Sequence, residues 1–324
     1  MRAVVLDAVD RPLRLTPDHP EPSVSQRPDG DGLVLTISAC GVCHSDLHVV
    51  DGVYPSPLPL ILGHEITGVD EQLGPVMVYA PWGCGSCRQC HDGLENICAN
   101  SNEAGLLTDG GYAERMFVPD RRYLAPLGGL DPIQAAPLAC GGLTAYRAVN
   151  HAVEHLRARD GARALVIGAG GLGQFAIRFL ALLTDATVVA LDISGDKRTT
   201  ALAIGAHQAT GDWSEISGVD AVFDFIGAQT ALDVAARVVN RQGMIVAVGL
   251  GGGGVPVGFG TIPHEAKVMT SVWGSRRQLD ELLDLARREP SVLPLIESLP
   301  LSQAQLAHDR LRAGNVEGRL VLVP

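Results

Sequence analysis

The pattern of apolar and polar positions changes near the middle of the chain. Up to about residue 140, short apolar runs are broken by Pro and Gly. Residues 33–39 alternate, the period of a half-buried strand, and residues 76–80 read as another. The opening Met1-Arg-Ala-Val-Val-Leu-Asp reads as a first strand. From residue 160 the pattern becomes strand–helix alternation. Residues 164–167 predict a buried strand, followed by a glycine turn and an apolar-striped helix over 172–183. Thr187–Leu191 is a second buried strand, and 221–226, 244–248 and 268–273 continue the series, with segments rich in Ala, Leu and Arg between several of them. Repeated βα units imply a parallel, doubly wound sheet. A helix over 278–288 and a strand at Arg319–Val323 close the chain, and that strand is expected to return to the first, β-rich domain.

Composition narrows the function. A chain of 324 residues, 46 % apolar and 19 % charged, can build two cores. A formal charge of −11 without a Lys/Arg block argues against nucleic-acid binding. No apolar run reaches the length of a membrane span, and the first residues are too short and polar a stretch for a signal peptide, so no membrane partner is expected. Cysteines clustered at metal spacing fit a cytoplasmic setting better than a secreted disulfide framework.

Those cysteines carry the first chemistry. Cys84, Cys87, Cys90 and Cys98 form a C-x2-C-x2-C-x7-C run. Four thiolates in one short loop suit a closed tetrahedral Zn²⁺ of the structural type. An iron–sulfur cluster is the rival for such spacing. Glycine between the first two cysteines and a second, mixed-ligand set favour zinc. Cys40, Cys43 and Cys140 remain. Cys43 lies upstream of Gly63-His64-Glu65, and Cys140 stands in Pro137-Leu138-Ala139-Cys140-Gly141. Two thiolates and one imidazole gathered from distant points make a three-ligand site with an open fourth position, the catalytic type. Asp46 is the carboxylate expected to hold the His64 ring through its other nitrogen, and Glu65 is expected to orient the site or approach the metal as an alternate ligand. Cys40 reads as a buried apolar thiol. His151, His155, His207, His264 and His308 lack motif context and read as surface or structural.

The second chemistry lies in the glycine turn. Gly168-Ala169-Gly170-Gly171-Leu172-Gly173 fits G-x-G-x-x-G, follows a strand and opens a helix. Asp192 ends the next strand, 19 residues after Gly173. The glycines allow a pyrophosphate to approach the helix N-terminus, and Asp192 would accept hydrogen bonds from the adenosine ribose. Its carboxylate would repel a 2′-phosphate. Ile193 follows it directly, with Lys197 and Arg198 further on, so NAD is expected over NADP.

Together these residues resemble the zinc-dependent alcohol dehydrogenases of the medium-chain dehydrogenase/reductase superfamily. The resemblance rests on Cys43-His44-Ser45-Asp46-Leu47-His48, Gly63-His64-Glu65-Ile66-Thr67-Gly68, the four-cysteine lobe, Cys140-Gly141-Gly142-Leu143-Thr144, the glycine fingerprint and Gly318-Arg319, in that order over nearly the whole chain. It implies an α/β architecture: a GroES-like catalytic domain over 1–141 with the zinc lobe at 84–98, a Rossmann NAD-binding domain over 142–274, and a segment, 275–324, returning to the first. It implies two zinc ions per chain, with Cys43, His64 and Cys140 as the catalytic ligands. Ser45 would be the first proton acceptor and His48 the link to solvent. His44 and Arg319 would meet the pyrophosphate, Thr144 the nicotinamide end and Lys197 the adenosine ribose, with Val248 also at the cofactor. Tyr54, Trp82 and Trp273 would line the substrate pocket. A small alcohol or carbonyl compound is the expected partner, and a homodimer or homotetramer the expected assembly. The alternative on the same fold is a carbonyl or activated C=C reductase using NADPH. One departure stands out. The family has a longer connection after the Gly-His-Glu motif, whereas residues 68–79 are compressed here around Gly74-Pro75, which puts the local strand pairing in question more than the chemistry.

Overall fold

A computed structural model describes residues 1–24 and 32–324. The backbone divides into two compact units, Met1–Gly141 with Gly274–Pro324, and Gly142–Trp273.

Among the described residues, the first unit carries a seven-stranded and a three-stranded sheet. Leu33–Gly41 is the hub of the larger one. It buries Leu33, Leu35 and Ile37 and turns Val34 and Thr36 outward, so its pleat fits a sheet with one solvated face. It pairs antiparallel with Glu65–Asp70, its first half pairs with Arg115–Val118, and its end meets Arg319–Val323 at Gly41 and Cys40. The Gly-His-Glu motif, the Cys43 segment and the last strand thus converge at one end of this sheet.

The compressed connection is a closed hairpin. Glu65–Asp70 pairs with Gly74–Val78 from Thr67↔Met77 to Asp70↔Gly74. The Asp70 carboxylate accepts from the backbone N–H groups of Gln72 (3.0 Å) and Leu73 (2.8 Å), and Arg121 Nη1 donates to both its oxygens. The pairing that the shortening put in question is intact, because an aspartate-closed turn takes the place of the longer one.

The second unit is a parallel sheet of six strands among the described residues: Arg163–Ile167, Thr187–Leu191, Gln208–Thr210, Val219–Asp224, Val239–Ala247 and Lys267–Thr270. Numbered along the chain, their spatial order is third, second, first, fourth, fifth, sixth. The winding reverses between the first and fourth strands, the place where such sheets bind ligands. Leu165, Val189, Val222 and Ile245 pack with Ala235 and Val238 of the helix Gln229–Val238 in one core cluster.

Several boundaries differ from the sequence pattern for local reasons. The fourth strand stops at Asp224, not 226, because the Asp224 carboxylate turns to accept from the N–H groups of Ile226 and Gly227. The sixth ends at Thr270, and Trp273 beyond it has φ +50°, outside any strand. The helix Arg276–Arg288 starts two residues early, because Ser275 caps it and Gln278 reaches back to the Ser275 N–H. The strand Ile296–Pro300 and the helix Ala304–Arg312 had no expectation attached.

Candidate metal centres and cofactor turn

The four-cysteine loop gathers its sulfurs through short helical turns. Cys87 precedes the turn Arg88–His91, Cys90 lies within it, and Cys98 follows the turn Glu95–Ile97. Sγ–Sγ distances are 3.9 Å for Cys84–Cys90, 3.5 Å for Cys87–Cys90 and 3.7 Å for Cys87–Cys98. A tetrahedron of sulfurs with metal bonds of about 2.3 Å has edges of about 3.8 Å, so the four thiols fit zinc. The Tyr123 hydroxyl donates to Gly83 O (3.2 Å) and accepts from Arg122 Nη2 (2.6 Å), tying the loop to the body of this unit.

The second donor set is wholly buried. Cys43, His64, Glu65 and Cys140 each offer an atom, and these lie within 4.8 Å of one another. Cys43 ends the loop before the helix His44–Val50, His64 stands at the start of the strand Glu65–Asp70, and Cys140 joins the turn Ala136–Ala139 to the helix Gly141–Asn150. His64 Nδ1 is 3.1 Å from Asp46 Oδ1, which leaves Nε2 as the ring nitrogen for the donor set. Asp46 is itself fixed, accepting from the Cys43 N–H at 2.9 Å through Oδ2. The Cys43 thiol is held well below its usual range, first by a hydrogen bond from Cys140 and, against burial, by His64 and Arg319. The same hydrogen bond and burial push Cys140 up. Two soft sulfurs and one oriented imidazole fit Zn²⁺ with room for a fourth ligand.

Glu65 and Arg319 form a buried pair at this centre. Arg319 Nη2 donates to both Glu65 oxygens at 2.5 Å, and Glu65 Oε1 also accepts from the Gly141 N–H at 2.9 Å. Burial pushes Glu65 up to about 7, outweighing the guanidinium beside it. The structure therefore places Arg319, expected at a pyrophosphate, with 5 % of its surface exposed and its guanidinium on Glu65.

Ser45 and His48 lie three residues apart on the helix His44–Val50, both half-buried, with Ser45 Oγ 3.9 Å from Cys43 Sγ. His44 beside them is exposed. Of the residues expected to line the pocket, Tyr54 donates its hydroxyl to Glu103 Oε2 (2.6 Å), Trp82 is buried against Tyr123 with ring centroids 5.9 Å apart, and Trp273 is buried at the end of the other unit.

In the second unit the glycine fingerprint links the first strand to the helix Gly171–Leu183, with Gly170 at its N-cap. Gly168 has φ +87°, and a Cβ on Gly173 would sit 1.9 Å from Gly168 O, so this crossing of helix and turn admits only glycine. Leu172 and Gly173 follow in the first helical turn. Asp192 accepts from the Ala169 N–H (2.9 Å) and the Ser194 N–H (2.9 Å), pinning the turn to the end of the second strand. Lys197 is in the first turn of the helix Gly195–Ala203. Arg198, not assigned a role from sequence, donates to the carbonyls of Asp192 (2.8 Å) and Ile193 (3.0 Å) and so closes the carboxyl end of that strand. Val248 donates its N–H to Asp224 O (2.8 Å) beyond the fifth strand, and Thr144 is buried in the first turn of the helix Gly141–Asn150.

Known proteins share this arrangement. Residues 29–128 match the alcohol dehydrogenase GroES-like domain, and 171–288 the zinc-binding dehydrogenase domain. An NAD-dependent alcohol dehydrogenase of Sulfurisphaera tokodaii is 34 % identical over 100 % of both chains. A D-arabinose 1-dehydrogenase (NADP(+)) of Saccharolobus solfataricus is 32 % identical over 92 % of this chain and 91 % of its own. The crystal structure of the alcohol dehydrogenase from Aeropyrum pernix, 31 % identical, superposes with a TM-score of 0.90 over 100 % of both chains. A buried Cys₂His set, a separate tetrathiolate lobe and a glycine-fingerprint sheet define a zinc-type dehydrogenase. The chain belongs to the zinc-dependent alcohol dehydrogenases of the medium-chain dehydrogenase/reductase superfamily, and is an oxidoreductase with that superfamily's GroES-like and Rossmann-type domains.

Proposed function

We propose that this protein interconverts alcohols with aldehydes or ketones, with NAD(H) as the hydride carrier and two zinc ions per chain. The observation that carries the reading is the convergence of Cys43, His64 and Cys140 in one buried set, with Ser45 beside Cys43. Zinc held there would supply Lewis acidity to a substrate oxygen, and NAD would accept the hydride. The protein's own part is proton movement and orientation. The Ser45 hydroxyl would accept the substrate proton as it releases its own along the relay, and His48, on the same helical face, would exchange the relayed proton with solvent. Asp46 keeps His64 in the tautomer whose Nε2 can bind metal. Glu65 stays within reach of the donor set while Arg319 holds it. Cys84, Cys87, Cys90 and Cys98 would hold the second zinc.

Asp192 supports NAD as coenzyme. Its two backbone bonds leave lone pairs for ribose hydroxyls, and a 2′-phosphate would meet its charge. The fingerprint glycines, Lys197, Val248 and Thr144 complete the proposed cofactor contacts of this unit. Tyr54 and Trp82 are proposed as pocket lining. A cytoplasmic setting is part of the proposal, and among the described residues no helix is long and apolar enough to cross a membrane. A homodimer or homotetramer is the proposed assembly, which light scattering would test.

A panel of alcohols and carbonyl compounds, followed by NADH absorbance, tests the reading. Turnover of at least one alcohol–carbonyl pair is expected. Reduction of activated C=C bonds alone, with NADPH, would replace it with the reductase alternative.

A further inference from the structure

The hydrogen bonds that orient His64 continue past Asp46 into the protein. Asp46 Oδ2 is 3.0 Å from the Tyr112 hydroxyl, and that hydroxyl is 3.2 Å from His308 Nε2. All four side chains are buried, with Tyr112, Asp46 and His64 at 0 % exposure and His308 at 3 %. The members come from distant points: the helix His44–Val50, the segment before Arg115–Val118, and the helix Ala304–Arg312.

The donor directions follow from the chemistry of the groups. An ionised carboxylate only accepts, so Tyr112 O–H donates to Asp46. The phenol oxygen is then left to accept, and His308 must present Nε2–H. At the other end His64 Nδ1–H donates to Asp46 Oδ1, which fixes the His64 tautomer. The bond from His308 strengthens the one from Tyr112, and the Tyr112 and His64 bonds converge on the two Asp46 oxygens. Backbone bonds hold the phenol in place: Tyr112 N–H donates to Leu62 O (2.9 Å), and Val4 N–H to Tyr112 O (2.8 Å). Its ring also packs on Gly63, where a Cβ would lie 2.4 Å from Tyr112 Cδ1. Tyr112 therefore touches both the carboxylate that orients His64 and the residue before it.

We propose that Tyr112 and His308 are positioning residues for the metal ligand His64. They act through Asp46, locking its carboxylate and thereby setting how firmly the imidazole holds zinc. The inference rests on the zinc reading of the Cys43, His64 and Cys140 set.

The test compares chelator-driven zinc release from the wild-type protein and from Tyr112→Phe, His308→Leu and His308→Gln, with a phenanthroline-type chelator. The visible spectrum of protein carrying cobalt in the catalytic site is recorded alongside. Tyr112→Phe keeps the ring on Gly63 and removes only the hydroxyl. It should release the catalytic zinc about 10-fold faster, the low end for partners beyond the ligand shell. His308→Leu should act in the same direction by several-fold, by analogy with the same outer partners. His308→Gln, whose amide can donate in place of Nε2–H, should stay near wild type. The cobalt bands should move in the first two variants and not in the third, and release from the four-cysteine lobe should be the same in all. Unchanged release and spectra in both Tyr112→Phe and His308→Leu would overturn the proposal, as would equal acceleration of both zincs, the mark of a loosened fold. If Tyr112→Phe fails to fold, the contrast between His308→Leu and His308→Gln decides alone. A wild-type protein without zinc at Cys43, His64 and Cys140 would remove the zinc reading and this inference together. Wild-type zinc with unaltered variants would remove this inference only.

Discussion

Ser45 and His48 share a helix but not an environment of equal consequence. Ser45 Oγ lies 3.9 Å from Cys43 Sγ, where a substrate proton would leave, so in the proposed relay it meets that proton first. Ser45→Ala should lower kcat/KM by the ~10²–10⁴-fold typical of a proton-transfer group. In the proposed relay His48 would hand the proton to solvent, so His48→Gln should cost less and imidazole buffer should restore part of the rate. Equal losses without rescue would make His48 a structural residue. Asp192 carries a separate prediction. Asp192→Ala should lower kcat/KM with NAD and raise the NADP-to-NAD ratio, and an unchanged ratio would remove Asp192 as the discriminator. At this scale the sequence was legible where spacing alone encodes chemistry, as in the four cysteines and the glycine turn. It was silent on Tyr112 and on His308, which read as surface or structural. Their roles depend on segments nearly 200 residues apart meeting around Asp46, and no local pattern records such a meeting. The Arg319 guanidinium on Glu65 was hidden for the same reason.

Elements were legible in proportion to their burial. The strands Arg163–Ile167 and Thr187–Leu191 are continuous apolar runs, and their bounds differ little from the pattern. The helix Ala304–Arg312 is short, buries only Ala304, Ala307 and His308, and leaves Leu306 exposed, so its apolar period is weak. Two element-scale predictions follow from contacts. Gly173→Ala places a methyl 1.9 Å from Gly168 O, so it should abolish NAD binding by forcing the helix away from the turn, as read by coenzyme titration. Ser275→Ala removes one half of a capping box and should lower stability by about 1 kcal/mol in a denaturant melt. His308 adds a pH dependence. Burial holds its pKa below the usual histidine value, so the folded state favours the neutral ring. The stability this contributes is complete above the unfolded pKa of about 6.5 and is lost as pH falls through the lower, folded value. Melting temperature should therefore drop on acidification below about 6.5, and His308→Gln should flatten part of that slope.

Across the whole molecule, two donor sets of different construction that could hold metal lie in one unit and the six-stranded parallel sheet with its glycine turn in the other. On the proposed ligand sets the four-cysteine lobe would be closed by thiolates, whereas Cys43, His64 and Cys140 would leave a fourth position for substrate or for Glu65. Losing a ligand of the open site should silence the enzyme and spare the fold, because the surrounding sheets keep their own cores. The most direct measurement is zinc per chain by elemental analysis, on wild-type protein and Cys43→Ala, with circular dichroism and alcohol-dependent NADH formation on the same samples. The account predicts two zincs in the wild type, and one in a folded but inactive Cys43→Ala. One zinc or none in the wild type, or a Cys43→Ala that keeps both zincs and its activity, would contradict it.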